Sequence, residues 1–157
     1  MLVEGQVARV GVAVREGAPR PDISSTQALK AALLSADAVV YNTASSGAYV
    51  EAMLKKLSVF DKIEGRLVRL FDDNAVMRRL TNGKGREFGF GEITDIVLNQ
   101  EKGVRLVGPL PAEIQNYTSY TAAVITAAPN PGGAKAFLGY LASPEGRALF
   151  AQNGISD

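Results

Sequence analysis

The 157-residue chain contains no cysteine, no histidine and no tryptophan. Without cysteine there is no disulfide, no thiolate nucleophile and no zinc–thiolate site. Without histidine there is no imidazole base, no Ser-His-Asp or Cys-His arrangement and no H-E-x-x-H metal motif. Any metal site would have to be built from oxygen alone, and no D-x-[DN]-x-[DN]-G pattern supports one. Phosphate-loop spacing is missing too: Gly83-Lys84-Gly85 does not fit G-x-x-x-x-G-K-[ST], and no G-x-G-x-x-G follows the first strand. Neither a metal nor a cofactor is expected. Charge of one sign is also lacking, since 17 Lys and Arg meet 16 Asp and Glu for a formal net charge of +1. Polyanion binding needs clustered cations that displace counterions. The short runs Lys55-Lys56, Arg78-Arg79 and Lys84 to Arg86 read as solvated faces and a turn, so nucleic acid is not an expected partner. No apolar stretch approaches the roughly 20 residues of a transmembrane helix. Residues 1–6 lack a basic region, an apolar region and a small-residue cleavage site, so no signal peptide is expected within this chain.

What is present is a globular composition, 46% hydrophobic and 21% charged, at the length of one ordinary domain. Residues 6–15 alternate, with Ala8, Val10, Val12 and Val14 on one face and Arg9 and Arg15 on the other, which predicts a strand. Gly17, Pro19 and Pro21 end it. A capping box from Ser24 to Gln27 predicts a helix to about Ser35 that buries Leu29, Ala32 and Leu33. Residues 38–41 are a short apolar run suited to a central parallel strand. A polar turn over 43–47 is expected to lead into a helix over 48–57. Strand 67–70, a helix after Asp72-Asp73-Asn74 that stops at Asn82-Gly83, strand 87–89 and a short helix near 94–98 continue the alternation. Such repeated units predict parallel βαβ crossovers. A strand over 103–107, a rigid connection over 108–111, a longer strand over 117–126 and two helices starting at Pro131 and Pro144 complete the chain.

In parallel α/β sheets, ligands bind beyond the carboxyl ends of strands, where loops enter helices. Three stretches have that placement. In residues 42–48, the hydroxyls and free helix N–H groups are suited to holding an anion without net charge; simple capping by Ser45 or Ser46 is the alternative. Asp72-Asp73-Asn74 suits a helix N-cap, and its carboxylates would repel an oxyanion unless they face away. In residues 89–95, Glu92 and Asp95 are candidates for an acid–base pair but also suit the first turn of a helix. No general-base constellation is evident, no catalytic residue is assigned, and the chain is not expected to be an enzyme.

Several stretches together carry a resemblance. They are Gly11 to Arg15, Gly17-Ala18-Pro19, Pro21-Asp22-Ile23 with Ala28-Leu29-Lys30, the run Leu106 to Gln115, and Phe137-Leu138 with Tyr140 to Gly146 and Asn153-Gly154-Ile155. In order and spacing they resemble the molybdate-type periplasmic substrate-binding proteins of ABC transporters, over nearly the whole chain. The resemblance implies an α/β fold: a three-layer αβα periplasmic-binding-protein-like lobe with a mostly parallel sheet, plus a C-terminal return strand and helices from a truncated second lobe. It places the first body at residues 6–107 and the return segment at 108–157. It implies capture of a tetrahedral oxyanion such as molybdate or tungstate between closing lobes, for an ABC permease, with a periplasmic location; a cytoplasmic one stays open because no signal peptide is read. Carried over residue by residue, the ligand contacts fall at Ser45, Ser46, Gly47, Ala48, Asn74 and Glu92. Relatives can have a hydroxyl-donating tyrosine where this chain has Glu92, and an ionised glutamate accepts but does not donate.

The family's chains are longer than this one, and the resemblance implies that the segment before Leu2 is missing. The return segment is then expected to pack in an altered way or to pair with a second copy, because natural proteins rarely leave such an edge exposed. Two other readings stand beside the receptor: an effector-sensing domain of a regulator, and a degenerate fragment that self-associates without binding a specific solute.

Overall fold

The computed structural model describes residues 2–155, with side chains from Gln6 onward. Part of the leader reading for residues 1–6 therefore lies outside the described residues. The chain divides into two compact units, one of residues 9–116 and one combining 1–8 with 117–157.

The larger unit is a layered α/β body. Strand β1 (Leu2–Arg15) contributes its second half. There follow α1 (Thr26–Ser35), β2 (Ala38–Asn42), α2 (Ser45–Lys56), α3 (Phe60–Ile63) and β3 (Leu67–Leu70). Then come α4 (Asp73–Asn82), β4 (Glu87–Glu92), α5 (Ile93–Leu98) and β5 (Val104–Pro109). The strand order is β3-β2-β4-β1-β5. β2 runs parallel to β3 and β4, whereas β1 runs antiparallel to both β4 and β5. Four of these five strands thus share one direction, and the sheet is mostly parallel, as expected. The reversed strand is the first one, so the uniform chain of parallel crossovers read from the sequence does not extend to β1.

Alternation along the strands makes two cores. Val10, Val12 and Val14 of β1 join Val39 and Tyr41 of β2 on the face covered by α1, α2 and α3. Ala13 and Val40 point the other way, against Val76, Met77 and Leu80 of α4 and Ile96 of α5. All five residues of β2 are buried, which explains its unbroken apolar run. Each fully buried Val, Leu or Phe contributes roughly 1.5–3 kcal/mol relative to exposure.

The helix starts are set by side-chain caps, with two departures from the sequence reading. Ser25, not Ser24, caps α1, accepting from the Ala28 N–H at 3.1 Å; the Ser24 N–H is taken by Asp22 Oδ1 at 2.9 Å. α2 begins at Ser45 rather than Ala48, because Asn42 supplies the cap that its own N-cap position, Ala44, lacks. Asp72 caps α4 through the Ala75 N–H at 2.7 Å. Strand β4 runs three residues beyond the expected 87–89, and β5 takes in Gly108 and Pro109, which the sequence reading assigned to a connection. The four-residue α3 was not anticipated. Beyond β5, Gln115 substitutes for a strand: its Oε1 accepts from the Val10 N–H at 2.9 Å, and its Nε2 donates to the Val10 carbonyl at 3.0 Å.

The smaller unit contains the start of β1, strand β6 (Tyr117–Ala123), α6 (Pro131–Ala142) and α7 (Pro144–Gln152). β6 pairs with β1 and ends at Ala123, short of the expected residue 126. Asn130 and Ser143 cap the two helices, accepting from Gly133 and Gly146 N–H groups, with proline at the first helical position of each.

Candidate functional site

The carboxyl ends of β3, β2 and β4 lie side by side, because these strands are adjacent and parallel, and α4, α2 and α5 leave from them. At the centre is Asn42, the last residue of β2 and 2% exposed. Its Oδ1 accepts from the N–H groups of Ala44 at 2.9 Å and Gly47 at 3.0 Å. Its Nδ2 donates to Ser46 Oγ at 2.8 Å and to Asp73 Oδ1 at 2.6 Å. Every donor and acceptor position of this buried amide is used. One side chain therefore ties together the first turns of α2 and α4, which lie on opposite faces of the sheet.

This network decides which backbone donors stay open. In α2, Asn42 takes the Ala44 and Gly47 N–H groups, and Ala48 N–H goes to the Ala44 carbonyl. The N–H groups of Ser45 and Ser46 remain among the unpaired first-turn donors of that helix. In α4, Asp72 takes Ala75 and its carbonyl takes Val76, leaving the N–H groups of Asp73 and Asn74. Gly47 permits the arrangement, since a Cβ there would overlap the Asn42 carbonyl.

The predicted site residues fall as follows. Ser45 and Ala48 are exposed on α2, while Ser46 and Gly47 are buried against Asn42. Neither serine caps the helix, so the capping alternative is replaced by Asn42. Asn74 is exposed in the first turn of α4, and Glu92 is half-buried at the junction of β4 and α5. Ser46 is joined to Asp73, beside Asn74, through Asn42.

Two carboxylates not among the predicted contacts shape the electrostatics. Asp73 turns away from solvent, with Oδ1 on Asn42, and faces Asp95 of α5, with Glu92 close by. Burial, chiefly, and then the hydrogen bond and like charge from Asp95 push the Asp73 carboxyl up to about 6, against the lowering effect of Asn42. The Asp73 carboxyl therefore holds a proton closer to neutrality than an ordinary carboxyl does. Among the described residues no cluster of three or more acidic side chains is placed to hold a metal ion. The signal for Asn42 was in the sequence as a single polar residue closing an apolar strand. Asp73 was visible only as one half of a capping pair.

A second group lies on the outer side of α2. Glu51 accepts from Tyr41 Oη, Arg69 Nε and Lys55 Nζ, each at 2.9 Å. These hydrogen bonds, led by Lys55, hold the Glu51 carboxyl down at about 2, while burial and the Glu51 partner push the Tyr41 hydroxyl up to about 12.

A parallel-dominated α/β body with helix starts gathered at one edge of the sheet is the frame of a solute receptor, and sequence comparison agrees. Residues 6–156 match the family of bacterial extracellular solute-binding proteins, and the chain belongs to that family. It is 30% identical over 165 residues to an aconitate isomerase of Pseudomonas sp., covering 99% of this chain and 62% of that protein. Among solved structures it is similar to the substrate-binding domain assigned to a molybdenum ABC transporter of Clostridium difficile, with a TM-score of 0.77 and 21% identity, over 99% of this chain and 66% of that one. It is also similar to the periplasmic molybdate-binding protein of Azotobacter vinelandii, with a TM-score of 0.65 and 15% identity, over 98% and 68%. The chain therefore spans about two thirds of the length of these relatives, and the structural likenesses speak for the fold. Among the described residues no helix is long and apolar enough to cross a membrane.

Proposed function

We propose that this chain binds a small anionic solute at the edge of the sheet where α2 and α4 begin, with a tetrahedral oxyanion as the solute class. The observation that supports this is the pair of adjacent helix starts left open by Asn42 and Asp72. Two N–H groups at each, with the helix dipoles behind them, suit a buried oxyanion. Ser45, Ser46, Gly47, Ala48 and Asn74 are the proposed contacts. Glu92, Asp95 and Asp73 carry charge that opposes an anion, so protonating Asp73 favours binding. In this reading the chain acts by capture and release, not by catalysis, in the periplasm and for an ABC permease.

Calorimetric titration with molybdate, tungstate, sulfate and phosphate, above and below the Asp73 value of about 6, tests the reading. Saturable binding of at least one anion, tighter on the acid side, is the expected result. Flat titrations for all four on both sides reject it.

The Asp73–Asp95 pair also favours a second reading. A carboxyl group that titrates near 6 is a competent proton acceptor at neutral pH, and the Pseudomonas relative is named as an aconitate isomerase. Incubation with cis- and trans-aconitate, followed by proton NMR, separates the two readings. Interconversion that disappears in Asp73→Asn makes the chain a catalyst, whereas unchanged isomers leave it a binder.

A further inference from the structure

At the end of the sheet opposite the oxyanion contacts, the larger unit has an open pocket of about 380 Å³. Its floor includes Phe88, the second residue of β4, whereas the oxyanion contacts lie beyond the carboxyl ends of the parallel strands. The length of β4 keeps the two roughly 15 Å apart, and they share no residue. One wall of the pocket is α1, where Ala28, Ala31 and Ala32 present only methyl groups. Another is the loop between β1 and α1, which presents Arg20 and Asp22.

Charges of both signs are fixed on the rim. Arg20 donates one terminal N–H to the Leu106 carbonyl of β5. A guanidinium has five donors, so most of its capacity is left for a guest, and the tie to β5 lowers the entropy cost of ordering the side chain. Hydrogen bonds from Ser24, first from its side chain and then from its N–H at 2.9 Å, hold the Asp22 carboxyl below the usual carboxylate range. On the far wall Arg86 faces Asp37, its N–H donating to Oδ2 at 2.8 Å and its guanidinium lying 3.7 Å from Oδ1. Two cations and two anions thus surround the pocket, and no net charge favours an ion of one sign. The matching guest carries both signs. Arg20 precedes Pro21, which biases it to extended backbone, so Arg20 and Asp22 start from Cα atoms roughly 6–7 Å apart on the pocket side. A carboxylate and an ammonium on one carbon atom can bridge that gap.

We propose that this pocket binds a zwitterionic amino acid with an apolar side chain, its carboxylate on Arg20 and its ammonium on Asp22. The apolar side chain rests on Ala28, Ala32 and Phe88, where displacing water from methyl and ring surface adds to binding. The site differs from the oxyanion contacts in place and in chemistry, and its occupancy does not depend on theirs.

Titration of the uniformly ¹⁵N-labelled full chain with L-leucine, read by NMR, tests the proposal. Saturable shifts are expected at the amides of Ala28, Ala31 and Ala32, with those of Ala44 and Gly47 at the oxyanion contacts unmoved. A hydrogen bond to a charged group is worth about ten- to a hundredfold in affinity. That loss is expected for 4-methylpentanoate, which lacks the ammonium, and for 3-methylbutylamine, which lacks the carboxylate. Asp22→Asn keeps an oxygen for the Ser24 N–H but loses the charge, so it is expected to weaken leucine binding by a similar factor, as is Arg20→Gln. Ala31 is exposed, and Ala31→Leu leaves every charge in place while filling the pocket; it is expected to abolish the shifts even if a rim variant folds poorly. Absence of saturable shifts, shifts centred on Ala44 and Gly47 instead, either analogue binding as tightly as leucine, or affinity retained in Ala31→Leu would each overturn the proposal.

Discussion

Asn42 and Asp73 set the character of the candidate site, and both act through hydrogen bonds. The Asp73 carboxyl is raised in the folded chain from its ordinary value of 3.8 to about 6, first by burial and then by Asp95. The sign of the linkage follows. Below its ordinary value the group is protonated whether folded or unfolded and brings no penalty. As pH rises, the unfolded chain ionises first, and stability is lost progressively until the folded carboxyl has also ionised. A shift of that size corresponds to about 3 kcal/mol at full strength, and solvent screening of a partly exposed group reduces this to about 1–2 kcal/mol. Asp73→Asn keeps an oxygen for Asn42 and carries no charge. It is expected to be more stable than the parent by about that amount above pH 7 and equal to it at acid pH below the ordinary value. Urea unfolding across the pH range measures this, and a gain that persists unchanged into acid would refute the assignment. In sequence, Asp73 looked like half of a capping pair; its partner Asp95 is twenty-two residues away, and only the parallel strands bring them together.

At the level of elements, the sequence carried the periodicity well and the junctions less well. The alternation of β1, the apolar run of β2 and the proline-led starts of α6 and α7 are each written locally, so they were readable. Helix starts that rely on a side chain outside the first turn were not. α2 begins at Ser45 because Asn42 reaches forward across the turn, and no rule of local spacing favours that over a start at Ala48. The direction of β1 was hidden for a similar reason, since alternation marks a strand but not the sense in which it pairs. At α1, two serines competed for one role and Ser25 holds it. Ser25→Ala should therefore cost about 1 kcal/mol, while Ser24→Ala should fall within the small range usual for surface changes. Equal losses on chemical denaturation would show that the cap is shared.

At the level of the whole molecule, the family was legible because its markers are spread along the chain, whereas the solute was not, because solute choice depends on a few side chains brought together by folding. The smaller unit exposes Tyr117, Tyr120, Phe137, Tyr140 and Leu149 together with Ile125. An apolar surface of this kind on a monomer invites association. We propose that the chain self-associates through β6, α6 and α7. Light scattering after size exclusion is expected to give a mass above that of one chain, and Phe137→Asp with Leu149→Asp should return it to one. A monodisperse single chain at high concentration would rule this out.

Gln115 gives the larger unit a clock. The Val10 amide is held by a side chain, Gln115 Oε1, where its neighbours in β1 are held by the strand ladder. Its exchange with deuterium is therefore governed by release of one glutamine as well as by opening of the sheet. In Gln115→Ala the Val10 amide should exchange much faster while that of Val14, inside the ladder, keeps its rate. The ratio of the two rates then reports how often β1 loosens at Val10 without the core unfolding.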